Sequence, residues 1–155
     1  MAVPIGSGTE IMKSVWLDNV DSAPNGMLIL GAQHHIYTVV SIIVYCETVS
    51  GTASENTLTC RFVGFDTNAG ASAQTMYAFQ TPQMIVGETY VFDNKFSFFG
   101  CEPDWSGASG QMTTIAEQAL LAAQGTSTSQ YLDTWGGGSG CKFSIGCTYI
   151  DQDWS

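Results

Sequence analysis

His35-Ile-Tyr-Thr-Val-Val-Ser-Ile-Ile-Val-Tyr-Cys-Glu47 is the stretch on which the fold of this chain turns. With a period of two, Ile36, Thr38, Val40, Ile42, Val44 and Cys46 fall on one face. β-Branched residues crowd both faces, which suits a pleated surface covered on two sides. The segment predicts a central strand. After the turn-rich stretch 48–56, Thr57-Leu-Thr-Cys-Arg-Phe-Val-Gly-Phe65 alternates Leu58, Cys60 and Phe62 against Thr57, Thr59 and Arg61, and predicts a hairpin partner. In that pairing Cys46 and Cys60 flank the connection on inward faces, near the separation a disulfide spans.

Outward from this pair, short strand candidates follow one another with turn punctuation. Thr75-Met-Tyr-Ala-Phe-Gln80 is closed by Pro82, which cannot donate to a ladder. Gln83-Met-Ile-Val86, Thr89-Tyr-Val-Phe92 and Lys95-Phe-Ser-Phe-Phe-Gly-Cys101 are separated by Gly87-Glu88 and Asp93-Asn94, a spacing that predicts an antiparallel meander. Upstream, Glu10–Leu17 and Gly26–Leu30 each have the length of a short strand, with Ala23-Pro-Asn-Gly26 as a turn before the second. Residues 1–9 have no periodicity and are expected to form an extended arm, leaving 10–155 as one domain.

The loop 102–110 leads to one helical segment, near residues 114–124. It is rich in Ala and Leu, opened by Thr114 with Glu117 in a capping box and stopped by Gly125. Gly125–Gly140 is polar and glycine-rich around Tyr131, Leu132 and Trp135, and is expected to be a mobile loop. In the closing strand Cys141–Asp151, Cys141, Phe143, Ile145, Cys147 and Tyr149 share a face. The fold class expected is mainly β: an antiparallel, jelly-roll-like β-sandwich with one short helix.

Composition narrows the function. The chain has 155 residues, 45% of them apolar and only 12% charged, about half the usual charged share. Gly, Ser, Thr, Asn and Gln replace the charges, a composition suited to polar strand faces and protein contacts. Fourteen acids against four bases give a net charge of −10, which opposes a nucleic-acid partner. No window approaches a membrane span, and Met1–Gly8 lacks the basic and apolar regions of a secretory signal. The expectation is maturation in a cytoplasm, an infected host's included, or a signal already removed.

Five cysteines cannot all pair within one chain, and none has C-x-x-C spacing, so they are read as small buried apolar thiols. No nucleophile elbow, P-loop, dinucleotide fingerprint or H-E-x-x-H motif is present. His34 and His35 are adjacent at a strand start, where neighbours point to opposite faces. A dispersed catalytic site would require one of them beside a carboxylate in a pocket. Glu102-Pro-Asp104 and Asp151-Gln-Asp153 lack the calcium-loop pattern and are taken as solvated acidic ends. No enzyme, cofactor or metal is expected.

Of the four tryptophans, Trp105, Trp135 and Trp154 fall in expected loops or at the terminus, and Trp16 in a strand. With Tyr131 and the apolar arm Val3-Pro4-Ile5, the first three are the candidate partner-binding residues; plugging the ends of the sandwich is the other use for such rings.

The runs Ile36–Cys46, Leu58-Thr-Cys-Arg-Phe62, Tyr90-Val-Phe92 and Phe143–Asp151 together resemble small virion proteins of tailed bacteriophages, particularly head decoration (cement) proteins. The resemblance spans roughly residues 26–151 and rests on strand layout. The helix at 114–124 and the glycine-rich loop depart from the plainest version. It implies a virion protein assembled in the host cytoplasm, bound to the major capsid protein or other virion subunits as a homo-oligomer, with no role for nucleic acid or membrane. A carbohydrate-binding or host-recognition module, stacking sugars on Trp105, Tyr131 and Trp135, is the alternative.

Overall fold

The computed structural model describes residues 9–22, 26–65, 73–101 and 129–153. The expected helix at 114–124, the loop 102–110 and the candidate residues Val3, Pro4, Ile5, Trp105 and Trp154 lie outside them.

Two antiparallel sheets pack face to face. The five-stranded sheet places β1 (Glu10–Val20) beside β9 (Lys142–Asp153), then β3 (His35–Thr48), then an outer lane shared by β6 (Thr89–Phe92) and β7 (Phe96–Phe99). The four-stranded sheet runs β2 (Gly26–Leu30), β8 (Tyr131–Gly136), β4 (Leu58–Phe65), β5 (Ala73–Gln80). With β6 and β7 taken as one interrupted strand, this alternation between sheets is the eight-strand double Greek key of a jelly roll. The expected mainly-β sandwich is what forms.

The hairpin between the two decisive runs does not form. β3 bonds to β9, β6 and β7, whereas β4 crosses to the other sheet and bonds to β5 and β8. The connection is too well tied for a hairpin turn: Asn56 Oδ1 accepts from the Ser50 amide at 2.7 Å, Ser50 Oγ donates to Glu55, and a 3-10 turn spans Ala53–Glu55. This corner carries the chain across the core. Cys46 and Cys60 therefore sit on opposite sheets, both buried as thiols.

The meander is likewise replaced. β7 covers Ile36–Val39 of β3 and β6 covers Ile42–Tyr45, with Asp93–Lys95 between them. Gln83–Val86 forms no strand. Met84 is buried as an anchor, and the following tight turn closes with the Glu88 amide donating to Ile85 O and Gly87 at φ 87°. An apolar run this short cannot distinguish a strand from an anchored turn.

A bulge explains the one error inside β3. Its register against β9 shifts between Val39 and Ser41, leaving Val40 as the extra residue, so the inward set is Tyr37 and Val39 and then Ile42, Val44 and Cys46. Simple alternation cannot foresee that change of face. β1 has its own bulge between Leu17 and Val20, where Asn19 takes φ 57°, a conformation Asn tolerates better than most residues.

The core between the sheets contains Ile42, Val44, Leu58, Leu132, Phe143 and Ile145, all with no more than 1% of their surface exposed. Aromatic pairs bridge the sheets: Phe62 to Phe98 at 4.6 Å, and Phe79 stacked on Phe92 at 4.1 Å. Each such pair adds about 0.5–1.5 kcal/mol beyond its buried area.

Candidate interaction faces

The outer face of the five-stranded sheet follows from register. Trp16 lies opposite Gly146, Gly146 opposite Ile43 and Ile43 opposite Val91, so one row crosses four strands. Directly paired residues share a face, and Trp16, Ile43 and Val91 are exposed by 57%, 43% and 55%. The Trp16 ring covers Gly146, where a Cβ atom would lie 3.0 Å from it and oblige the indole to shift by a few tenths of an ångström. Tyr45 and Met12 extend the apolar surface on either side. Beyond β6, Ile85 and Val86 stand exposed on the tight turn, which is tied to β3 by Cys46–Glu88 and Gly87–Cys46 backbone bonds.

Acidic groups border this row. Trp16 Nε1 donates to Asp18 Oδ1 at 2.6 Å. The buried Ser144 hydroxyl meets Asp18 Oδ1 at 3.0 Å and also Glu47 Oε1. The Ser144 hydroxyl has one proton for two carboxylates, and Asp18 has the Trp16 indole N–H besides.

The outer face of the four-stranded sheet has a different character. Cross-strand partners Arg61 and Asp133 form a two-point pair, Nε to Oδ1 at 2.9 Å and a terminal nitrogen to Oδ2 at 3.0 Å. The guanidinium also lies 4.8 Å from the centre of the Trp135 ring, within cation–π reach. Tyr131, Asp133 and Trp135 alternate along β8, so these two candidate residues do share a face, but on a central strand and half-buried. That corrects the expectation of a mobile loop for the described part of Gly125–Gly140. The glycines here serve close packing: Cβ atoms at Gly137 and Gly138 would lie 2.6 Å from Glu55 O and 2.4 Å from its carboxylate.

At the end of the five-stranded sheet, Asp151 is buried and takes Lys13 Nζ at 2.6 Å and His35 Nδ1 at 2.6 Å. It is not the solvated acid expected from sequence. Burial pushes its carboxyl up, but the bonds from His35 and Lys13 outweigh that and hold it below the usual range. The Asp151 bond raises the Lys13 ammonium. His35 thus has the carboxylate a dispersed catalytic site needs. Among the described residues, however, the nearby depression of about 180 Å³ is lined by Ile36, Ser97, Phe98 and Phe99, which supply no acid or base. The five cysteines are buried as thiols; burial raises Cys60 well above its ordinary value and Cys147 to about 12.

Trp16 is the exposed aromatic residue that sequence reasoning passed over by placing it in a strand. Its signal was Gly146, an unexplained glycine inside the closing strand, since such a glycine marks a bulge or a close approach.

No family model and no curated protein matches the chain. Among solved structures, a chain from the Bacillus endospore appendages, described as disulfide-linked pili, is similar over all of this chain and 97% of its own, with a TM-score of 0.49 and 11% identity.

Proposed function

We propose that this chain is a non-enzymatic structural module that docks on other protein subunits, as a decoration protein does on a capsid lattice. The apolar row Trp16–Gly146–Ile43–Val91, flush across four strands and outside the core, carries this reading. A contiguous exposed apolar surface of this kind marks an interaction site. The virion shell is the partner that the sequence resemblance implies, and many symmetry-related copies would turn a modest contact into stable attachment. The carbohydrate reading receives less support, because Arg61 already occupies a face of Trp135.

Electron microscopy of the native material, with copies counted per particle, tests the proposal. Many symmetric copies on a shell or tail are expected, with the Trp16 face covered; a free monomer overturns it. Trp16→Thr should fold normally and lose its place on the particle.

A further inference from the structure

The outer face of the five-stranded sheet is specific about charge as well as apolar. Asp18 and Glu47 converge on the single Ser144 hydroxyl, and among the described residues neither forms an ion pair with a cation. The chain has few cations to offer. Of its four, Lys13 and Arg61 are engaged by Asp151 and Asp133. Lys142 shares the face, two residues along β9 from Ser144 and opposite Thr48, but bridges neither carboxylate. Covering the row with an uncharged surface would strip water from two adjacent carboxylates that have one shared hydroxyl proton and the Trp16 indole N–H but no cation between them. A second copy, also at −10, would bring like charges together in a two-fold contact.

We propose, resting on the structural reading above, that this face receives a different protein whose contact patch is apolar with an arginine or lysine at its margin. That cation lies between Asp18 and Glu47. The apolar row supplies the contact, and the carboxylate pair fixes its register and rejects acidic partners.

Carbodiimide labelling with glycinamide, read by mass spectrometry on the native assembly and on the isolated full chain, tests this. Asp18 and Glu47 should be modified several-fold more slowly in the assembly, with one of them joined to a lysine of a different polypeptide. Protection without a cross-link fits an arginine only if D18N/E47Q lowers retention on the assembly by about tenfold; unchanged retention overturns the inference. Labelling at the isolated-chain rate overturns it too, as does a cross-link to Lys95 or Lys142 of a second copy. Copies present on a particle with these carboxylates open to solvent would end this inference and leave the structural role standing. A chain found only as a free monomer ends both.

Discussion

The two outer faces of this sandwich handle exposed side chains in opposite ways. On the four-stranded sheet, Arg61, Asp133 and Trp135 satisfy one another across adjacent strands, leaving little for a partner to complete. On the five-stranded sheet, Trp16, Ile43 and Val91 lie open beside two carboxylates that share one hydroxyl. The first arrangement is satisfied within the chain, and the second is the one that, on the proposed function, a partner completes. Composition alone hides this contrast, since both faces are poor in charge.

The contrast can be broken by substitution. Arg61→Ala leaves the nearly buried Asp133 carboxylate without its partner and should cost about 2–3 kcal/mol, below the range for a fully buried pair because Arg61 is a third exposed. Urea denaturation measures it; a loss under 0.5 kcal/mol would mean that this face is not self-supporting.

Asp151→Asn should cost about 1 kcal/mol near neutral pH and flatten the acid limb of stability. The sign follows from the lowered carboxyl. A folded-state pKa below the unfolded value of about 3.9 gives stability that is present above that value and lost as pH falls through the lower one. The raised Lys13 contributes in the opposite sense, with stability present below about 10.4 and lost as pH climbs beyond it. Thermal melts of both proteins between pH 2 and 6 should converge at the acid end; parallel curves would remove Asp151 from the account.

Trp16→Thr should change the isolated chain least, by about 0.5 kcal/mol or less, as surface substitutions do. On the proposed function its effect falls on assembly. Loss of stability with unchanged incorporation would reverse the roles assigned to the two faces.

Strand identity was largely legible, because β-branched alternation and turn residues act locally: Gly26–Leu30 and Thr89–Phe92 form where the pattern places them. Pairing was not. In this jelly roll most consecutive strands change sheets, β4 and β5 being an exception, so nearness in sequence misleads, and a corner such as 49–57 differs from a hairpin loop only through specific bonds by Ser50 and Asn56. The glycines at 136–138 were misread because the same residue serves flexibility and close packing. Asp151 looked solvated because its partners are distant in sequence, Lys13 by 138 positions and His35 by 116. Of the seven candidate partner-binding residues, five lie outside the described residues, Tyr131 and Trp135 stand half-buried on β8 of the four-stranded sheet, and the exposure of Trp16 was hidden because it depends on strand neighbours distant in sequence.

The buried sulfurs carry one more consequence. With its acidity pushed to about 12, Cys147 holds roughly one thiolate in 10⁵ at pH 7, and thiol–disulfide exchange proceeds through the thiolate. Burial raises Cys46, Cys60 and Cys101 as well. In the folded chain Cys147 should therefore exchange only slowly with disulfides in its surroundings, and mainly when the sandwich opens.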